Sequence, residues 1–197
     1  GTSFEQKENL FFSPELALSF EDLETNSTAS TNLKKQEGSY DDFYFNYGLA
    51  YDVRDSGYRP SSGNKTTFYQ NVPLISDNSE LTNTFVFTQY KELNDSSNMV
   101  GKASFYFKSV HSLNDSDVRI SKRAQVPYNR LRGFQRGKVG PIDNSDYIGG
   151  NYVSTLNLST NLPGTLSTVE NMDFSYFIDF ANVWGVDYDD SINDASE

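Results

Sequence analysis

The chain has 197 residues, with 15 phenylalanines, 13 tyrosines and no cysteine, and its 27 acidic and 16 basic side chains give a formal net charge of −11. The acid excess argues against nucleic acid as the main partner, because phosphate binding needs a net basic face. Without cysteine there are no disulfides and no thiolate chemistry. No apolar run approaches the roughly 18–20 residues of a membrane helix, which excludes a helical membrane protein but not a membrane β-barrel, whose strands are only half apolar.

Apolar and polar side chains alternate with a period of two, which predicts β-strands rather than helices. In residues 43–51, for example, Phe43, Phe45 and Tyr47 fall on one face, whereas Asn46 and Gly48 fall on the other. The predicted strands, in chain order, are residues 10–20, 43–51, 65–75, 82–92, 99–111, 152–162 and 172–184. The third and fourth alternate less clearly, and their prediction rests on a high content of Thr, Phe, Tyr and Val.

The connections between these strands differ in length. Turn-forming clusters at residues 56–63, 94–98 and 162–171 alternate with longer polar loops at 26–39 and 114–148 and with an acidic run from Asp187. Short turns at one end and long loops at the other are typical of an outer-membrane barrel. A soluble β-sandwich with large loops explains the periodicity equally well.

Two features favour the barrel over the sandwich. One face of the strands is rich in aromatic residues, as lipid-facing girdles are. The opposite face carries charges, including Glu15, Lys102 and Asp179, which a hydrated barrel lumen accommodates.

The long loop concentrates positive charge in an acidic chain. Its basic residues are Arg119, Lys122, Arg123, Arg130, Arg132, Arg136 and Lys138. Two interpretations remain open: some of them bind the phosphates of lipopolysaccharide outside the cell, or they offset acidic side chains of the barrel wall and loops.

Three stretches of the chain carry a family pattern. The first lies in the long loop and the start of the next strand: Leu131, Arg132, Gly133 and Phe134, then Gly149, Gly150 and Asn151. The second is the strand–turn segment with Asp52, Arg54, Asp55, Pro60 and Gly63. The third is residues 177–184. Together, in this order and spacing, they resemble the BamA family of outer-membrane β-barrel assembly factors of Gram-negative bacteria. Each stretch alone is a weak signal, but the ordered set spans essentially the whole chain.

The resemblance implies an all-β fold, an antiparallel transmembrane β-barrel. Residues 1–197 would form an incomplete, open part of a sixteen-stranded barrel, from the end of strand six through strand thirteen. The loop at about residues 113–148 would fold back into the lumen. The periplasmic POTRA domains, the first strands and the last three strands of such a protein would lie outside this chain.

The resemblance also implies roles for single residues. Arg132 would contact Asp179 on the inner wall and hold the loop in the lumen, Gly133 would permit the turn behind it, and Phe134 would pack against the wall. Ser159 stands where the family usually carries a second acid, and it can accept a hydrogen bond but cannot form an ion pair. The alternative is that Arg132 is one more solvated arginine. Around Asp52, Arg54 and Asp55 we expect a local ion-pair network that fixes the turn.

The implied function is to fold and insert other β-barrel proteins into the bacterial outer membrane, without a cofactor or a metal. The implied partners are outer-membrane lipid, lipopolysaccharide, unfolded outer-membrane clients and BAM-type accessory lipoproteins. An enzyme is not expected, since His111 is the only histidine and no Gly-x-Ser-x-Gly motif is present. The alternatives are a related translocation pore, of the TamA or two-partner secretion type, and a soluble β-sandwich that binds ligands through its loops.

Overall fold

One antiparallel sheet dominates the computed structural model, which describes residues 2–94, 99–114, 116–162 and 174–187. The sheet has eight strands in the order β1-β2-β3-β4-β5-β6-β9-β10 and is open, with β1 and β10 at its edges. The strands are β1 (Phe4–Lys7), β2 (Leu10–Leu23), β3 (Gly38–Asp52), β4 (Gly63–Ser76), β5 (Glu80–Asn94), β6 (Met99–Ser112), β9 (Tyr152–Leu162) and β10 (Phe174–Trp184). A short helix α1 (Thr31–Lys34) precedes β3, and the long loop contains a hairpin of β7 (Ile142–Asp143) and β8 (Asp146–Tyr147).

All seven strands predicted from the alternation are confirmed, with ends that differ by a few residues. The sequence did not predict β1, α1 or the β7–β8 hairpin, because each is too short to show a period. The connection between β4 and β5 comprises only residues 77–79. Of the turns predicted at 94–98 and 162–171 and the acidic run predicted from Asp187, all but the first residue of each lies outside the described residues.

The single sheet decides against the sandwich. Within the described ranges, the only other sheet is the two-stranded β7–β8 hairpin, so no second sheet covers the first. Nor does any helix in those ranges have the length and apolar character needed to cross a membrane.

The two faces of the sheet have opposite character. One face exposes large apolar side chains; it includes Leu16, Leu18, Phe20, Ile75, Tyr176, Ile178 and Phe180, each more than half exposed. The other face buries polar groups such as Asp42, Asn46, Ser104 and Thr155. A sheet that exposes its apolar face and buries its polar face is inverted relative to a soluble domain, as a barrel with lipid outside and water inside requires.

The long loop covers the polar face near the ends of β6, β9 and β10. There Val110, Val153 and Val183 of the strands pack against Val118 and Ala124 of the loop, and all five are fully buried. This cluster gives the loop an apolar contact area on an otherwise polar face.

The loop ends where the chain passes very close to another strand. A Cβ atom at Gly150 would lie 2.3 Å from the carbonyl oxygen of Trp184. Gly150 and Ala124 also exchange backbone hydrogen bonds of 2.7 and 3.0 Å, and the Asn151 N–H donates to the Gly185 carbonyl at 2.7 Å. The Gly149-Gly150-Asn151 segment therefore joins the loop to the end of β10.

Gly150→Ala in the full-length protein should destabilise it by about 1–3 kcal/mol, because the added methyl group overpacks this contact. Urea unfolding in detergent micelles, followed by tryptophan fluorescence, measures the change. Gly57→Ala is the matched control, since a Cβ at Gly57 has nothing within 4 Å. Equal stability of the two variants would contradict the close approach.

Candidate functional site

Arg132 in the long loop forms a bidentate salt bridge with Asp179 of β10. Its Nε donates to Oδ2 and its Nη2 to Oδ1, each at 2.7 Å, and its backbone N–H donates to Oδ2 at 3.0 Å. The Asp179 side chain is only 3% exposed, whereas the Arg132 side chain is 37% exposed. Because the planar guanidinium matches a carboxylate in only one orientation, this pair fixes the direction of the loop as well as its position.

Two further side chains of the strands hold this pair, and the sequence did not identify either. The ring of Phe177 lies under the guanidinium, with 3.6 Å between the Arg132 Cζ and the ring centroid. Asn157, the cross-strand neighbour of Asp179, donates to Asp179 Oδ1 at 2.9 Å and to the Arg130 carbonyl at 2.6 Å. The Asp179 carboxylate thus accepts four hydrogen bonds, three from Arg132 and one from Asn157.

Ser159 and Phe134 are placed differently from what the resemblance implied. Ser159 lines a cavity next to Arg132, but the residue of β9 that bonds Asp179 is Asn157. Phe134 is 67% exposed and, with Leu131, lines a small cavity formed by the loop itself. The predicted packing of Phe134 against the wall is therefore wrong for the part of the wall that this chain supplies. Gly133 has φ +87°, a turn conformation that glycine adopts without strain.

A second arginine, Arg119, attaches the start of the same loop to the sheet. Its side chain is 1% exposed and donates to Glu80 of β5 at 2.9 and 3.0 Å and to Asp42 of β3 at 2.7 Å. The Arg119 N–H also donates to Glu80 Oε1 at 3.1 Å, and its guanidinium stacks on Tyr40 at 4.4 Å. Burial alone would lower the pKa of Arg119, but the bonds to Glu80 and Asp42 raise it above the ordinary value.

Arg123 makes a third attachment. It is 4% exposed and binds Asp187, just after β10, and the Asn151 side chain, at 3.0 Å. Burial raises the pKa of Asp187, but hydrogen bonds from the Val118 N–H and from Arg123 outweigh it and keep that pKa below its ordinary value.

The basic residues of the loop thus divide into three groups: four bind carboxylates, among them Lys122 at 3.6 Å from Asp42, one (Arg130) bonds to neutral groups, and two are exposed. Arg119, Arg123 and Arg132 bind carboxylates of the sheet or of its ends. For these three, offsetting the acids of the wall is the correct interpretation, and lipopolysaccharide binding is not. Arg136 and Lys138 remain exposed.

Between β3 and β4, the strand–turn motif forms its own network. Arg54 binds Asp52 through Nε and Nη2, each at 2.7 Å, and Lys65 lies 3.3 Å from the same carboxylate. Asp55 accepts hydrogen bonds from Ser61 and Ser62, which hold the pKa of Asp55 below its ordinary value. Pro60 is half-buried in this turn. Gly63 has φ +88°, and a Cβ there would lie 2.1 Å from the Val53 carbonyl oxygen, so only glycine fits.

Comparison with known proteins identifies the family. The model of the Omp85 superfamily domain matches residues 1–197, the whole chain. The chain belongs to the Omp85 superfamily. It is also similar in fold to the crystal structure of BamA from Haemophilus ducreyi lacking POTRA domains 1–3, with a TM-score of 0.80 and 22% sequence identity.

That match covers 93% of this chain and 40% of the BamA chain. The Omp85 sheet described here is thus the counterpart of part of a BamA-like barrel, and the protein belongs to the bacterial outer membrane. Within the described part of the chain, no group of three or more His, Cys, Asp or Glu side chains is arranged to hold a metal ion.

A double-mutant cycle tests the Arg132–Asp179 pair. With Arg132→Gln, Asp179→Asn and both together in the full-length protein, we expect a coupling energy of about 1–3 kcal/mol, the lower end reflecting the partial exposure of Arg132. Unfolding in urea at neutral pH measures it. Additive effects of the two substitutions would show that the pair contributes nothing beyond its separate side chains.

Arg119→Gln should destabilise the protein more, by about 3–5 kcal/mol, because it leaves two buried carboxylates without their cation. Arg136→Gln removes the same charge from an exposed position and is the control, with an expected change within about 0.5 kcal/mol. Similar stability of the two variants in the same unfolding assay would contradict the buried network.

Proposed function

We propose that the protein is an outer-membrane assembly factor that folds and inserts other β-barrel proteins. The observation that carries the proposal is the Arg132–Asp179 pair, which seats the loop motif on the polar face of an Omp85 sheet. Membership of the superfamily and the fold shared with BamA support the coarser role, assembly or translocation of proteins at the outer membrane.

The work of such a factor needs no covalent chemistry. Unfolded client strands gain backbone hydrogen bonds at an exposed sheet edge and then bury their apolar face in lipid, and both steps release free energy. The proposed partners are therefore unfolded outer-membrane proteins, outer-membrane lipid on the apolar face, and BAM-type accessory lipoproteins. Arg136 and Lys138 are the residues of the loop that remain available for lipopolysaccharide phosphates.

In this account the seated loop keeps the barrel in its assembly-competent state. The Arg132 site binds the loop to β10, and the Arg119 site binds it to β3 and β5. A loop held at these two points lies across the polar face and links strands that are far apart in the sheet order.

Charge reversal tests the proposal in the full-length protein. Arg132→Asp should reduce insertion of a model barrel protein into liposomes at least tenfold, because it places two carboxylates together with no cation. Adding Asp179→Arg restores an opposite-charge pair and should recover part of the rate. The conversion of the client to its heat-modifiable folded form, followed on gels, measures insertion.

Arg136→Asp makes the same change at an exposed position of the same loop and should insert at the wild-type rate. If Arg132→Asp also inserts clients at that rate, the loop pair is not needed for assembly. If the wild-type protein moves an unfolded polypeptide across the liposome membrane without speeding barrel insertion, it is a translocation pore instead.

A further inference from the structure

A small cavity with only basic and neutral polar side chains lies between the long loop and the polar face of the sheet. Its volume is about 140 Å³. It is lined by Lys102 and Ser104 of β6, Asn157 and Ser159 of β9, and Asn129, Arg130 and Arg132 of the loop. No carboxylate is among these residues, although the chain as a whole has a net charge of −11.

Among the described residues, two of the three cations in this cavity form no ion pair with a carboxylate. Arg132 is paired with Asp179. Arg130 stacks on Tyr106, with its Cζ 4.7 Å from the ring centroid, and its Nη1 lies 3.3 Å from Ser104 Oγ and from Asn157 Oδ1, both neutral groups. Burial lowers the pKa of Arg130, as expected for a cation without an anionic partner.

Lys102 is the other unbalanced cation. Its Nζ lies 5.7 Å from the centroid of the Tyr90 ring, and among the described residues it forms no ion pair. Its cross-strand neighbour is Ser159, whose hydroxyl lies on the same face and also lines the cavity. The cavity therefore combines neutral hydrogen-bonding groups with two positive charges that no described carboxylate pairs with.

Arg130 is half-buried and Lys102 is exposed at the edge of the cavity, and an anion between them would replace the repulsion of two like charges with attraction. Lysine and arginine are the side chains that bind phosphate oxygens best, the first as a point charge and the second as a planar set of donors. A phosphate dianion would balance the two charges of Lys102 and Arg130. We propose that this cavity is a binding site for a phosphate-class oxyanion, held by Lys102, Arg130 and Ser159.

A bound anion would also have a structural effect. Lys102 belongs to β6 and Arg130 to the loop, so an oxyanion between them would strengthen the contact that Arg130 already makes with Ser104 of β6. Loop seating would then depend on the concentration of phosphate or of phosphate-bearing groups around the protein.

The test is a titration of the full-length protein, in a neutral detergent and phosphate-free buffer, with inorganic phosphate. We expect a saturable binding heat in isothermal calorimetry. Lys102→Gln and Arg130→Gln should each weaken binding about tenfold or more, since each removes one charge-assisted contact. Lys91→Gln is the control: Lys91 lies on β5, is exposed, and does not line the cavity, so its loss should leave the affinity unchanged.

Ser159→Asp gives a second test that does not rely on removing a cation. It places a carboxylate beside Lys102 within the cavity and should abolish phosphate binding while raising the unfolding temperature in phosphate-free buffer. A short-chain phosphatidylglycerol, titrated in the same way, separates the two sources of the anion. Tighter binding of the lipid than of phosphate would assign the site to a lipid headgroup, and the reverse to the free ion.

Absence of a saturable phosphate or phosphatidylglycerol heat in the folded wild-type protein would overturn the proposal. So would unchanged affinity in both Lys102→Gln and Ser159→Asp. Phosphate binding is measured without any client protein, so failure here leaves the assembly role untouched.

Discussion

Pairing of three loop arginines with carboxylates determines where the long loop lies. Arg119, Arg123 and Arg132 each bind a carboxylate at the sheet or at its end. At the buried Arg119 and Arg123 positions an unpaired charge would cost several kcal/mol, so these two side chains can be buried only where their acids lie. The cluster around Val110 and Val118 adds apolar contact area but, being non-directional, does not select one orientation.

The attachments differ in what they connect. Arg119 bonds to β3 and β5 near the beginning of the loop, whereas Arg132 bonds to β10 further along. Buried ion pairs of this kind add little net stability compared with apolar packing, because desolvation offsets much of their attraction. Their contribution is specificity. A bidentate arginine–carboxylate contact admits one geometry, so the loop binds the sheet in one orientation rather than several.

Much of the fold follows from the sequence, because period-two alternation depends only on which face each side chain occupies. The same parity places Asp179 on the polar face, and the family resemblance names it as the partner of Arg132. Parity does not tell which neighbour on that face completes a site, and for this reason Asn157 was missed and Ser159 was named. The partners of Arg119 lie 39 and 77 residues away in the sequence, and no local pattern connects them. Phe134 was identified from the motif, but the motif did not tell which surface its side chain would contact.

The most direct test of the seated loop is hydrogen exchange at the backbone amide of Arg132, in the full-length protein in lipid nanodiscs. This amide lies outside every strand and helix, so only its hydrogen bond to Asp179 protects it. The account predicts slow exchange at Arg132 in the wild type, fast exchange in Asp179→Ala, which removes the acceptor, and fast exchange at the exposed Gln135 in both. Exchange at Arg132 as fast as at Gln135 in the wild-type protein would show that the loop is not held by this pair.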